Sequence, residues 1–510
     1  MGKNESKSRN SILNALTSIL YTGVNGILTI IVTRIILVHY GSDYNGLNTT
    51  ANQIVSILLV LESGFTLASN VALFSPIAEN DKNKISRIIS TTKASFIRIS
   101  IIYLVVGLIT VIGYSRFIIS EIPYYEILLI LLVSLLPTAF NFMFATKYAV
   151  LFQSSQHEYI INIIKIVSCA VGHSVVIILG MQDVNRILLR VLILFNPTLA
   201  VILTALIGRK TFKDVKMDCK PDYSLIPGTK DLMVQKFVGL VYSTAPTLLM
   251  SAKIGTVAIS IYGVYNSVTV LMKSVANAFM NSPRMSLGAL ISEGNADRIR
   301  RVFREYENIV FLSGSIMTVI YFSLIVPFVR LYTLGVDDAN YIQPTLAVIL
   351  GLIFFIECIH IPSGIFLNMA GLFKVSKFIQ TIAAVILGIG ILISMFVGTM
   401  TSFVISIFIA AISLAIMEIG YVHFMNVIEN SSMDKKGLID LLIYGAIALL
   451  LSSLGYNIYT ICDSYYLLIL KGIIITIITF IIYMILLTFY NKYLFRRIRN
   501  IAISLGHKSQ

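Results

Sequence analysis

Apolar runs of about 20 residues, the length an α-helix needs to cross a bilayer, follow one another along almost the whole chain with only short polar loops between them. Fourteen such runs are read, at 12–38, 47–76, 96–117, 124–146, 158–180, 187–208, 237–258, 261–283, 306–329, 343–370, 376–397, 401–425, 438–457 and 465–489. The chain is 57% hydrophobic and 13% charged, against about 25% charged in an ordinary soluble protein. A water-soluble fold of this size has too much surface to hide so many apolar side chains. The expected fold is an all-α integral membrane protein with 14 transmembrane helices.

The net charge of +14 would suggest a nucleic-acid partner in a soluble protein. Here the basic residues sit between apolar runs, as topology signals do. With the N-terminus in the cytoplasm and the runs alternating, 31 of the 39 Lys and Arg residues fall on the cytoplasmic side. Both termini are then cytoplasmic, and nucleic acid is not an expected partner. The basic leader MGKNESKSRN precedes a run of over 20 residues without an A-x-A-like end, which reads as a first span rather than a cleaved signal.

The composition argues against an enzyme. The four cysteines (Cys169, Cys219, Cys358, Cys462) are far apart, and the six histidines form no HExxH. GxxxxGK[ST] and GxGxxG are both missing, so no metal, cofactor or nucleotide chemistry is expected. The loops assigned to the exterior are short, the longest lying around 330–343, and leave no room for a catalytic domain.

A weak internal repeat divides the chain. ENDKNKISRII (Glu79–Ile89) and EGNADRIRRVF (Glu293–Phe303) both follow a polar-opening span, YNGLNTT and IYGVYNS respectively. Ser75-Pro76 and Ser282-Pro283 also recur, out of register by about seven residues. Six spans separate the copies, so the repeat is parallel. The expected domains are an N-lobe at 1–208, a cytoplasmic interlobe linker at 209–236, a C-lobe at 237–425, and spans thirteen and fourteen with a basic tail at 426–510.

Charged residues within spans are costly and mark wet cavities or partners. Lys273 has the clearest pattern: Tyr262, Asn266, Thr269, Lys273 and Asn277 share one face of span eight. That stripe suits a water-lined groove holding an oxyanion, or it packs polar-to-polar on another helix. Asn25 belongs to a polar face of span one made of Asn14, Ser18, Tyr21, Thr22, Asn25 and Thr29. Arg34 lies off that face, and Lys253 shares a face with Tyr242 in span seven. Glu62, with Thr66 and Ser69 on its face, either pairs with a cation or takes up a proton or sodium ion, since low dielectric raises a carboxyl pKa. Glu357 and His360 lie one turn apart in span ten, as a proton relay or as a satisfied pair. Span prolines such as Pro137 and Pro362 permit kinks.

The segment TRIILVHYGSDYNGLNTTANQI, Thr33 to Ile54, resembles the first loop of the prokaryotic oligosaccharide flippases. In that family an arginine near the end of span one precedes a short loop with tyrosine and glycine; Arg34, Tyr44 and Gly46 match. The resemblance implies the fold of the multidrug/oligosaccharidyl-lipid/polysaccharide exporter superfamily, with two six-helix lobes around a cavity lined mainly by spans one, two, seven and eight. It implies a transporter that flips an undecaprenyl-diphosphate-linked O-antigen or capsule unit across the bacterial cytoplasmic membrane by alternating access. Arg34, Lys253 and Lys273, with Asn25, Asn266 and Asn277, would then meet the cargo; Glu62, Glu357 and His360 would pair charges or couple H+ or Na+. Implied partners are the glycan-bearing lipid, membrane lipids, a polysaccharide polymerase and glycosyltransferases. The alternatives are a cation-coupled multidrug antiporter and a lipid II flippase.

Overall fold

The computed structural model describes residues 2–62, 64–226, 230–280, 283–425, 427, 436–457 and 464–490. The tail at 491–510, linker residues 227–229 and Ser282 of the second Ser-Pro pair lie outside the described residues. Every regular element among the described residues is helical, as expected where lipid offers the backbone no hydrogen bonds. In chain order the helices are α1 (Gly2–Leu58), α2 (Phe65–Ala78), α3 (Lys82–Tyr114), α4 (Tyr124–Phe140), α5 (Thr146–Ser154), α6 (Glu158–Gly180), α7 (Arg186–Thr211) and α8 (Lys230–Lys253). They continue with α9 (Thr256–Met280), α10 (Arg284–Ser292), α11 (Ala296–Tyr332), α12 (Pro344–Met369), α13 (Phe373–Val397), α14 (Met400–Phe424), α15 (Lys436–Asn457) and α16 (Tyr465–Tyr490).

Eleven stretches among the described residues are long and apolar enough to cross a membrane. One of them, Ile12–Glu62, has 51 residues; as a straight helix it would be about 75 Å long, more than twice the hydrocarbon thickness. It is two helices joined at Gly41, whose φ of 83° and ψ of 171° break the ladder. The second expected span does not run unbroken to residue 76. It narrows to a 3₁₀ turn at Leu59–Glu62 and restarts as α2 after Gly64. The basic stretches read as loops after spans two and eight are instead the first turns of α3 and α11. Asp81 caps the Lys84 amide at 2.9 Å and Asn295 caps the Arg298 amide at 3.0 Å, satisfying donors that a helix start leaves open. Pro137 lies inside α4, and a π-helical turn at Asn141–Ala145 follows it, a common site of bending.

The turns recur along the chain. Each non-glycine residue with positive φ, Asn80 (56°), Gln156 (62°) and Asp183 (50°), has a glycine counterpart in the second half: Gly294 (75°), Gly371 (73°) and Gly398 (70°). Gly41 (83°) pairs with Gly255 (113°) in the same way. The spacing within these pairs is 214 or 215 residues, since 294 − 80 and 255 − 41 are both 214 while 371 − 156 and 398 − 183 are both 215. The hydrogen bonds match too. His157 N donates to Phe152 O (2.8 Å), and Leu372 N to Leu367 O (2.9 Å), the long bond of a Schellman helix end.

The chain forms two compact units. One comprises Met1–Gly263, Gly335–Ala339 and Met395–Met400; the other comprises Val264–Leu334, Asn340–Ser394 and Thr401–Gln510. In the first, α1 packs on α6 and α8, α6 on α7, and α4 on α7, around a core of Tyr44, Leu47, Phe96, Tyr103 and Phe142. Gly172 of α6 lets α7 approach so closely that a Cβ would lie 2.5 Å from Asn196 Cβ, the small-residue contact common between membrane helices. In the second unit α11 is the hub, packing on α12, α15 and α16. Tyr444 of α15 stacks on Tyr483 of α16 at 6.0 Å.

The stretch after α7 is docked rather than loose. Phe212, Val215, Met217 and Leu225 pack on a cluster around Leu73, Ile89 and Phe152. Arg87 pairs with Asp222 (2.7 Å) and Lys93 with Asp218 (2.6 Å), while Ser90 Oγ and Thr91 Oγ1 accept from the Cys219 and Asp222 amides. The Lys93 ammonium holds the Asp218 carboxyl below its usual pKa, and bonds from the Ser224 side chain and backbone do the same for Asp222. A depressed carboxylate contributes stability above its unfolded pKa and loses it as pH falls through the lower folded value. Hydrogen-exchange protection at the Cys219 and Asp222 amides, corrected for intrinsic rates, is therefore expected to persist from pH 7 to about pH 4 and to drop only below. Protection already lost at pH 5.5 would contradict this.

Candidate functional site

In the first unit, Asn14 and Asn25 of the polar face of α1, with Thr17 beside them, bond to α6, while Ser18 and Thr29 of that face are exposed. Asn14 Oδ1 accepts from the Tyr159 amide at 2.7 Å, Thr17 Oγ1 from Asn162 Nδ2 at 3.2 Å, and Asn25 Oδ1 from Cys169 Sγ at 3.4 Å. Asn25, expected to meet cargo, has its carbonyl engaged by a neighbouring helix. Arg34 is half-buried in α1. Lys253 is the last residue of α8 and exposed, where its charge complements the helix C-terminus.

Glu62 closes the 3₁₀ turn before α2. Its Oε1 accepts from the Thr66 hydroxyl and, at 3.3 Å, from the Thr66 amide. The carboxylate therefore caps the start of a broken span, a position where negative charge is favourable. Ser69 instead lies buried against Thr92, whose hydroxyl donates to it at 3.3 Å.

The Tyr44–Gly46 motif has a packing cause. Tyr44 is fully buried, and its hydroxyl donates to Arg186 O at 2.7 Å. Gly46 lies against the Thr256 backbone, where a Cβ would overlap the carbonyl. Just before them, Asp43 accepts from Ser120 Oγ and the Glu121 amide, both 2.8 Å, and from the Thr256 hydroxyl. The motif thus ties the Gly41 turn to the α3–α4 loop and to the first turn of α9.

The most buried cation among the described residues of this unit escaped sequence reading. Arg190 of α7 is 1% exposed. Its Nε donates to Ser134 Oγ (2.8 Å), Nη1 to Asn48 Oδ1 (3.0 Å) and Nη2 to Asn52 Oδ1 (2.9 Å). The signal available was an arginine four residues after Arg186 within an apolar run, near a helix rich in asparagine.

In the second unit, Lys273 and Glu357 form an ion pair with both side chains 29% exposed. On the same helix as Lys273, Asn266 Oδ1 accepts from Thr269 Oγ1 at 3.3 Å, and Asn277 is exposed. Glu357 and His360 do not pair with each other. Glue-like roles fall to different helices: Glu357 reaches Lys273 on α9, and His360 Nδ1 meets Glu418 Oε2 on α14 at 2.7 Å. Adjacent turns of α12 simply point at different neighbours. Gly364 leaves room for Glu418, whose Oε2 would lie 2.9 Å from a Cβ there. A second buried set also went unread: His423 Nε2 meets Glu307 Oε1 at 2.8 Å, and Asp440 accepts from Arg304 Nε (3.0 Å) and Asn308 Nδ2 (3.1 Å). It binds α15 to α11 and α14.

No protein-family model and no curated protein sequence matches this chain. Solved structures do match its fold. The lipid II flippase MurJ, in an inward closed conformation, has a TM-score of 0.60 at 13% identity over 92% of this chain and 98% of that one. An inward-facing multidrug resistance MATE family transporter of the MOP superfamily gives 0.61 at 12% identity, over 86% of this chain and 99% of its own. The eukaryotic MATE transporter AtDTX14 gives 0.56 at 14% identity, with coverages of 86% and 99%. The fold is that of these transporters.

Gly46→Ala is expected to cost about 3 kcal/mol or more, because the clash is with backbone and cannot relax through a rotamer. Thermal unfolding in detergent reads it; a wild-type Tm would refute the packing account. Glu418→Ala leaves His360 facing an emptied polar site and is expected to destabilise more than Glu418→Gln, which keeps an acceptor for the ring. Equal Tm values for the two variants would count against the His360–Glu418 bond.

Proposed function

We propose that the chain is a flippase for a lipid-linked oligosaccharide, moving an undecaprenyl-diphosphate-linked unit across a bacterial cytoplasmic membrane. On this reading it has fourteen spans with both termini in the cytoplasm and works beside a polymerase and glycosyltransferases. The observation that carries it is the Lys273–Glu357 pair: an ammonium and a carboxylate, each partly exposed, within apolar helices. Such a pair needs water around it, and its cation suits an anionic head. Likeness of fold to a lipid II flippase over 92% of the chain supports the reading.

The diphosphate displaces Glu357 as the partner of Lys273, since two nearby negative charges attract the ammonium more strongly than one. Once the cargo leaves, Glu357 recaptures Lys273 and removes an uncompensated charge from a low-dielectric site. Asn266 and Asn277 of the same stripe hydrogen-bond sugar hydroxyls, while the polyprenyl tail stays in lipid. Glu62, Glu357 and His360 remain the residues through which H+ or Na+ coupling would act.

The second reading, a cation-coupled multidrug antiporter, is favoured by the equal likeness to MATE transporters. The two separate on Lys273→Ala. A flippase loses surface polysaccharide and accumulates its lipid-linked unit in the inner leaflet at unchanged protein level. An antiporter keeps its polymer and loses extrusion of cationic dyes instead.

A further inference from the structure

The partners of Arg190 explain its position but not its charge. Three neutral acceptors, Ser134, Asn48 and Asn52, take its three nitrogens. No ion pair with a carboxylate is formed by Arg190 among the described residues. A clamp between α1, α4 and α7 needs no net charge, and an uncompensated buried cation is costly to keep. Its field must therefore act on something outside the core.

The route outward is Asn52. Ser134 passes its own proton inward, to Ile130 O at 2.5 Å, and Asn48 Nδ2 is spent on Tyr44 O at 3.2 Å. Asn52 alone of the three is exposed. A guanidinium has only donors, so it fixes the Asn52 carbonyl inward and the NH₂ outward. A hydrogen bond from a cation to the carbonyl also polarises the amide, strengthening its donors.

The face on which Asn52 stands is polar throughout. At about 100° per residue, Asn45, Thr49, Asn52 and Ser56 lie within a narrow sector of α1. At the Gly41 end this sector packs on α9: Asn45 Nδ2 donates to Ser260 Oγ at 2.8 Å, and Thr49 Oγ1 would lie 3.7 Å from a Cβ on Gly263. Two turns on, Asn52 remains open. An exposed amide donor facing hydrocarbon would go unsatisfied at high cost, so this sector faces water.

We propose that Arg190 is a positioning residue that holds the Asn52 amide as a fixed, polarised donor toward the diphosphate head of the translocated lipid. This rests on the flippase reading and concerns the first unit by itself. The cation stays buried, so it favours phosphate oxygens without forming an ion pair that would trap the cargo.

The test uses the full chain in phosphatidylcholine nanodiscs and three probes: farnesyl diphosphate, inorganic diphosphate and farnesol. Wild type is expected to prefer farnesyl diphosphate to farnesol and to bind inorganic diphosphate weakly. Asn52→Asp gives Arg190 a carboxylate and removes the donor, so the fold is kept while farnesyl diphosphate binding weakens by about tenfold or more. Farnesol binding and Tm stay at wild-type values, which a purely structural role would not separate. Asn52→Ala, which adds no charge, weakens binding in the same direction. If both variants bind farnesyl diphosphate within twofold of wild type while Lys273→Ala does not, the proposal falls and the flippase reading stands. If wild type binds inorganic diphosphate as tightly as farnesyl diphosphate, the site serves a free anion and the proposal falls. If wild type shows no preference for the diphosphate over farnesol, both fall together.

Discussion

Hydrocarbon supplies no hydrogen bonds and screens no charge, so every polar group this chain carries into the bilayer must find its partner within the protein or in trapped water. The helical backbone meets the first demand. The second organises the side chains. Lys273 takes Glu357, His360 takes Glu418, His423 takes Glu307 and Asp440 takes Arg304. Each pair joins two helices, so the same bonds that neutralise charge also set helix neighbours. Arg190 departs from the pattern, answered by neutral dipoles instead of an opposite charge.

The two halves share their turns more faithfully than their residues. Asn80 and Gly294 hold the same left-handed conformation, and the residues that follow, Asp81 and Asn295, cap the next helix in the same way. Gln156 and Gly371 end their helices with matching backbone bonds, although SQHEY and AGLFK have nothing in common. A turn is specified by backbone geometry, which glycine, asparagine, glutamine and aspartate can all adopt. Sequence comparison therefore found one weak repeat where the backbone carries four.

Residues that share one face of one helix were visible in the sequence; partners that lie on two helices were not. Lys273 with Asn266 and Thr269 was legible because helical periodicity places them on one face. Glu357 and His360 were legible as costly residues, but their partners were not: Glu418 lies 58 positions from His360, and no periodicity links them. The polar stripe of α1 was visible as a stripe, yet whether it faced a cavity or α6 depended on Tyr159, Asn162 and Cys169 of another helix. Glu62 was legible as a costly acid within a span and not as a cap, because the break at Gly64 interrupts an apolar run without altering its hydropathy.

Taken alone, the amino-acid order determined that this chain lives in a membrane as a bundle of helices, because hydropathy and length act locally and need no knowledge of neighbours. It also marked which side chains are too expensive to be incidental. Tertiary structure alone decided which of those side chains hold each other, and that the buried Arg190 meets neutral acceptors and forms no ion pair with a carboxylate among the described residues. Those outcomes are set by contacts between residues tens to hundreds of positions apart, and such contacts exist only once the helices have packed.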